Sequence, residues 1–381
     1  MVRDLNKIRG KELQEILAQV FSGFCAEGVF RDGERTGSGH INDTFLVTTR
    51  GNKKYILQRI NHSVFQDVPG LMNNILRVTT HIHQKIDQGH PLTGSLTSIR
   101  IIPAKDDKTF VLDREGDYWR LYNYLEGSRT FDRVSNPQQA HEGGRAFALF
   151  QALTADIPVS DLAETIPHFH DVELRLKTFR QTVSQDPVNR VGEVKREIAF
   201  LEERAGEMIK ILQLGREHKI PLRVTHNDTK FNNILFDASG KAIAVIDLDT
   251  VMPGYILYDF GDAIRTGANT ATEDEEDLDK AGINLALFEA YSRGYLSIAG
   301  SFLNSCEIGH LAFSARVMTF LIGLRFLTDY IDGDRYYRIH FRHHNLQRAR
   351  VQMKLLESME QQYDRMLQII ITITSVPGSI R

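Results

Sequence analysis

One stretch limits what this chain can fold into: Val224-Thr-His-Asn-Asp-Thr-Lys-Phe-Asn-Asn-Ile-Leu-Phe236, followed by Ala244-Val-Ile-Asp-Leu-Asp-Thr250. Asn232-Asn-Ile-Leu-Phe236 leads into a short apolar run, Gly240 turns the chain and 242–246 is its partner run, which predicts a β-hairpin. Asp228 then lies in the loop before the first strand, Asn233 at that strand's start, and Asp247 at the end of the second. Polar side chains at strand ends can meet at one place. Turns favour Asp and Asn for their own local hydrogen bonds, but a turn alone does not require His226-x-Asp228, an Asn five residues on and Ile246-Asp247 in this order.

That order suits phosphoryl transfer. An Asp orients an acceptor hydroxyl and takes its proton, while a hard cation with oxygen ligands bridges the phosphates of a nucleotide. Asp228 has the chemistry for the first role, and Asn233 and Asp247 for the second. Mg²⁺ commonly keeps only one or two protein ligands beside phosphates and waters.

The rest of the chain must then supply a nucleotide-binding part and an acceptor part. At 381 residues it exceeds a usual single core, so two domains are expected. Residues 11–24 carry Leu13, Ile16, Leu17, Val20, Phe21 and Phe24 at helical spacing. Strands follow at 35–49 and 54–60, a helix after Pro69-Gly70, and further strands at 97–103, 109–112 and 118–124. Glycines Gly37 and Gly39 flank Ser38 in a turn whose exposed amides suit phosphate oxygens. Beyond Gly127 the pattern is almost entirely helical: a capped start at Asn136-Pro137, a polar helix over 171–183 and a charged one over 191–217. The acidic run 273–277 reads as a solvated helix start. The expectation is an α+β chain of two lobes, a β-rich nucleotide-binding lobe over 1–126 with a leading helix and a larger helical lobe over 127–381.

Composition narrows the partners. Lys+Arg 46 against Asp+Glu 49 leaves a net charge of -3 with no basic block, so neither nucleic acid nor a membrane is the expected partner. The first ten residues carry charges where a signal peptide would be apolar, and the apolar run 318–327 is interrupted by Arg325, so a cytoplasmic protein is expected. Cys25 and Cys306 have no metal-ligand spacing and read as buried thiols.

His226-Asn-Asp228, Asn233 and Ile246-Asp247 together resemble the aminoglycoside phosphotransferase and choline kinase superfamily, which shares the two-lobed protein-kinase-like fold. Longer segments resemble the N-acetylhexosamine 1-kinases. They are Gly39-His-Ile-Asn-Asp-Thr44, Ile56-Leu-Gln-Arg-Ile-Asn61, Thr229-Lys-Phe-Asn-Asn233, Ile246 through Gly254, Tyr258-Asp-Phe-Gly-Asp262, and Arg325 through Asp334 with His344-Asn-Leu-Gln-Arg348. This resemblance implies ATP and Mg²⁺ as cofactors and the anomeric hydroxyl of N-acetylglucosamine or N-acetylgalactosamine as acceptor. It implies Asp228 as catalytic base, Asn233 and Asp247 on the metal, and Gly37, Ser38 and Gly39 over the phosphates. The hinge of Asn123 to Glu126, including Leu125, would hold the adenine. His40, Asp249, Arg325 and Tyr336 would lie on the sugar side, with Asp249 equally able to hold its loop. Asp259 reads as a fixer of backbone rather than a metal ligand.

One departure is visible. Kinases of this kind place a Lys on the third strand, paired with an acid on the following helix. Here the strand reads Tyr55-Ile-Leu-Gln58-Arg59, and residues 71–86 contain no Asp or Glu. Either Arg59 serves without a helix partner, or Gln58 aligns and the cation is missing. Two other readings stand beside the sugar kinase: a same-fold kinase for homoserine, choline or an aminoglycoside, and a nucleotide-binding module without catalysis.

Overall fold

The computed structural model describes residues 5, 8–37, 41–94 and 96–375. The expected site residues Ser38, Gly39 and His40 lie outside the described residues. The chain divides into two compact units. The first comprises Met1–Ser128 together with Ser160–Pro167 and Ile246–Met252, and the second comprises Arg129–Val159, His168–Val245 and Pro253–Arg381.

In the first unit, apolar residues at every third or fourth position form α1 (Gly10–Phe21), which buries Leu13, Leu17, Val20 and Phe21. An antiparallel sheet follows from β1 (Phe30–Arg35), β2 (Asp43–Thr49), β3 (Lys54–Ile60), β4 (Ile101–Ile102), β5 (Val111–Leu112) and β6 (Tyr118–Asn123), in the order β1-β2-β3-β6-β4 with β5 also on β6. Side chains alternate along each strand. Phe45, Val47, Tyr55, Leu57, Trp119 and Leu121 therefore share one face, packed in a core with α1. Gln58 and Arg120, opposite one another in register, take the other.

After β3 comes α2 (Val68–Asp87), capped by Asp67 Oδ1 accepting from Gly70 N at 3.0 Å. Its buried Asn74 donates to Ala163 O at 2.8 Å and Val251 O at 2.9 Å, and accepts from Ala163 N. One side chain thereby ties both inserted segments to this unit. Strands expected over 97–103 and 109–112 shrink to two ladder residues each, because Ala104 and Lys105 between them pair with Phe24 and Gly23 and Asp107 N closes a turn on Ala104 O.

The second unit is helical: α3 (Pro137–Thr154), α4 (Val172–Gln185), α5 (Lys195–Met208), α6 (Lys210–Arg216), α7 (Ile256–Gly267), α8 (Leu285–Ala299), α9 (Ser305–Gly309), α10 (Leu311–Ile331), α11 (His344–Gln361) and α12 (Tyr363–Ser375). Asn136 caps α3 as its sequence predicts, accepting from Gln139 N at 2.9 Å. The single helix expected over 191–217 is broken between Met208 and Lys210, beside the weak helix former Gly206. The acidic run 273–277 leads into only one 3₁₀ turn, Leu278–Lys280, and not an α-helix. Asp277 caps that turn by accepting from Asp279 N, and Glu273 pairs with Arg265 at 3.2 Å.

Helix α10 is long and apolar enough to cross a bilayer by length and composition, yet it is buried within this unit against α7, α11 and α4. Cys306 is half-buried and Cys25 exposed, contrary to the expected burial of both. Phe24 takes the inward position there and turns its neighbour out.

The second unit also holds β7 (Arg223–Thr225) and the hairpin of β8 (Ile234–Phe236) with β9 (Ala242–Val245). Phe231 and Phe236 pack with Ala146 and Phe147 of α3 in one cluster. The approach needs Gly143, because a Cβ there would sit 2.2 Å from Phe231 Cε2.

Candidate active site

The loop between β7 and β8 is built on Asp259, on the first turn of α7. Its buried carboxylate accepts from His226 N at 2.9 Å, Asn227 N at 2.7 Å and Gln151 Nε2 at 2.9 Å, and its carbonyl accepts from Thr229 Oγ1 at 2.6 Å. Asn227 takes the left-handed conformation, φ 63°, which Asn tolerates better than most residues. His226 is wedged edge-on against Phe147 and Phe150. These contacts fix the backbone on both sides of Asp228, whose own side chain is a quarter exposed. Asp259 thus holds the loop backbone, the part expected of it despite its place before Phe-Gly.

Asp228 Oδ1 lies 3.1 Å from Lys230 Nζ. Asn233 Nδ2 donates to Asp228 O at 2.8 Å and stands 3.4 Å from Oδ2. Burial opposes ionisation of Asp228 most strongly, but Lys230, His226 and Arg265 together hold its carboxyl below the usual range. The lysine is raised in turn, chiefly by Asp228. A carboxylate of this kind is ionised at neutral pH and ready to accept a proton. Because the Asn233 amide nitrogen is spent on Asp228, its Oδ1 is the atom left to coordinate a hard cation.

Next to this loop stands a cationic and aromatic group. His170 Nε2 lies 3.1 Å from Asn227 O, while burial, and after it Arg325, holds the imidazole pKa down to about 3. The ring is therefore neutral, and its buried Nδ1 has no hydrogen-bond partner among the described residues. Arg325 lies 5.2 Å from the Phe169 ring centroid and 5.6 Å from those of Tyr336 and Tyr337. Burial and the nearby Arg325 lower Arg175. Among the described residues neither arginine makes an ion pair with a carboxylate. Tyr336 is 58% exposed, on a loop gathered by Asp329, which accepts from the backbone of Arg335, Tyr336 and Tyr337 and from Asn345 Nδ2.

The first unit holds the other expected residues. Gly37 has φ +80° with open space around its Cα, a conformation that glycine adopts at little steric cost. Asp247 is left-handed, φ 60°, and opens the turn Leu248–Thr250. Asp249 Oδ2 accepts from Asn42 Nδ2 at 2.5 Å, and its Oδ1 accepts a short hydrogen bond from Arg120 Nη1. The Arg59 guanidinium is held by Asp43 at 2.6 Å and Asp117 at 2.9 Å. Asn123 accepts from Arg100 N and donates its own amide to Arg100 O, and the Leu125 carbonyl closes a turn with Ser128.

No cluster of three or more His, Cys, Asp or Glu suited to a metal occurs among the described residues. Asn233 in the second unit and Asp247 in the first each offer an oxygen donor of the kind that hard cations take. Lys230, His170, Arg175 and Arg120 were not singled out from the sequence. Only Lys230 left a signal there, two residues past Asp228 in the same motif.

The model of the APH family, described as phosphotransferase enzyme family, matches residues 32–300. Solved structures share the fold at low identity. A microcompartment-associated aminopropanol kinase is 17% identical with a TM-score of 0.65, over 92% of this chain and 98% of its own. An aminoglycoside phosphotransferase from Alicyclobacillus acidocaldarius is 12% identical with a TM-score of 0.61, over 91% and 96%. Amicoumacin kinase hAmiN, in complex with AMP-PNP, Ca²⁺ and Ami, is 13% identical with a TM-score of 0.58, over 92% and 94%. The α+β architecture, a small antiparallel sheet region followed by a larger helical part, is the fold of these kinases.

Proposed function

The chain belongs to the phosphotransferase enzyme family, and from that premise we propose that it is a small-molecule kinase transferring the γ-phosphoryl group of ATP to the anomeric hydroxyl of an N-acetylhexosamine. The nucleotide is supported by the complex of the amicoumacin kinase with AMP-PNP. Asp228 accepts the proton of the attacking hydroxyl, and Lys230 stays beside it to offset developing charge. Asn233 and Asp247 are the residues that would hold Mg²⁺, which when bound neutralises charge on the transferring phosphate. Gly37, with its φ of +80°, is the described part of the segment that would lie over the phosphates.

The acceptor reading rests on one observation: Arg175 and Arg325 stand next to the catalytic loop without carboxylate partners among the described residues, amid the rings of Phe169, Tyr336 and Tyr337. Such a surface repels a cationic amino alcohol or aminoglycoside. Hydroxyl and acetamido groups, by contrast, find donors there, and a sugar ring finds aromatic faces.

The test is ATP consumption with a panel of N-acetylglucosamine, N-acetylgalactosamine, homoserine, choline, aminopropanol and an aminoglycoside. The expected result is turnover of the N-acetylhexosamines alone, giving an acid-labile 1-phosphate, and none with their methyl glycosides, whose anomeric oxygen is blocked. Faster turnover of a cationic acceptor overturns the sugar assignment. Nucleotide binding with no turnover of any acceptor favours a non-catalytic module.

A second prediction concerns Lys230. Because it lowers the Asp228 pKa, Lys230→Met should move the acid limb of the kcat profile to higher pH. An unmoved limb would show that Asp228 ionisation does not govern that limb.

A further inference from the structure

The cation missing from the third strand is present one strand away. Gln58 of β3 and Arg120 of β6 are directly opposite in register, so their side chains leave the same face of the sheet. Arg120 Nε donates to Gln58 Oε1 at 2.9 Å, while Gln58 Nε2 donates to Thr44 Oγ1 at 3.0 Å. Gln58 is therefore a spacer that steers the arginine. Arg59 points to the opposite face and is occupied by Asp43 and Asp117.

The acid is displaced as well. Helix α2 has no carboxylate before Asp87, and the partner of Arg120 is Asp249, two residues beyond Asp247. Asp249 is buried and fixed at its second oxygen by Asn42, which itself accepts from Asn61 N at 2.9 Å. Arg120 is also drawn electrostatically to Asp247. Nη2 of Arg120 donates no hydrogen bond among the described residues. Tyr122, whose ring centroid lies 5.2 Å from the guanidinium carbon, has a buried hydroxyl with no partner either.

We propose that Arg120 and Asp249 form the donor-side ion pair of this enzyme, transposed from the third strand and the following helix onto β6 and the Asp247–Thr250 turn. Arg120 is a positioning residue. Through Asp249 it holds the turn that presents Asp247, a left-handed residue that needs outside support. Its charge also offsets that of the donor phosphates, as a third-strand lysine does. The inference rests on the phosphotransferase reading above.

Calorimetry of AMP-PNP binding with and without Mg²⁺, beside steady-state kinetics, tests it in the full chain. Arg120→Gln should weaken Mg²⁺-AMP-PNP binding and raise the KM for ATP at least about tenfold, the worth of one charge-assisted contact. The acceptor KM should stay unchanged. Gln58→Lys added to Arg120→Gln returns a cation to β3 at the paired position and should recover most of the nucleotide affinity. A folded Arg120→Gln protein that binds nucleotide like wild type overturns the proposal. So does a folded double variant without recovery, which would make the arginine merely structural. If Arg120→Gln does not fold, Arg120→Lys decides, since it should keep affinity within a few-fold; a tenfold loss there counts against the charge role. Wild-type protein that binds no nucleotide would instead overturn the phosphotransferase reading itself.

Discussion

Asp228→Asn is expected to lower kcat by at least about 10²-fold while the protein unfolds at the wild-type denaturant midpoint. The carboxylate is partly exposed and contributes to no core, so its replacement by an isosteric amide leaves the packing of Phe231, Phe236 and Phe147 intact. The loop backbone is held by Asp259, not by Asp228, and keeps its shape. What disappears is the proton acceptor: the amide has no basic oxygen, and its NH₂ group would confront Lys230 Nζ or Asn233 Nδ2, both donors. Nucleotide affinity should change little or rise slightly, because one negative charge leaves the loop. The informative measurements are kcat for the productive acceptor, calorimetric binding of AMP-PNP, and urea unfolding of the same preparation. Turnover near the wild-type rate would remove Asp228 from the mechanism. A shifted unfolding midpoint would mean that the loop depends on its carboxylate for structure.

Local features were legible in the sequence and lateral ones were not. The hairpin of β8 and β9 follows from two short apolar runs around Gly240, and the cap of α3 from Asn136-Pro137, since both signals lie within a few residues. The donor-side cation escaped for the opposite reason. Reading along β3 and then along α2 finds no lysine and no acid, because chain order does not reveal which residue of β6 stands opposite Gln58. The family resemblance alone placed Asp249 near the site, and its two bonds to Arg120 and Asn42 depend on tertiary contacts. His170 and Arg175 lie more than fifty residues before Asp228, in a polar helical segment with no motif of its own. The acidic run 273–277 marked a helix start, but the turn that Asp277 caps ends after Lys280 as a single 3₁₀ turn.

Asp259 carries the second large effect, and it is one of folding before catalysis. Its carboxylate is 1% exposed and satisfies two backbone amides and the Gln151 side chain. Asp259→Ala leaves those donors buried and unpaired, each costing about 1–3 kcal/mol, so a loss of at least about 3 kcal/mol of unfolding free energy is expected. Asp259→Asn separates the two roles. An amide oxygen in the place of Oδ2 keeps the bonds from His226 N and Gln151 Nε2, but its NH₂ then faces Asn227 N–H, donor against donor. Asn227 loses the contact that supports its left-handed φ of 63°, and the adjacent Asp228 loses its setting. The Asn variant should therefore fold with a smaller penalty than Ala and still lose at least about tenfold in kcat, since displacements of about 1 Å can cost that much or more. Urea unfolding and kcat measured on both variants distinguish the cases. If Asp259→Asn retains wild-type turnover, the clamp on Asn227 is dispensable and Asp228 is positioned by Lys230 and Asn233 alone.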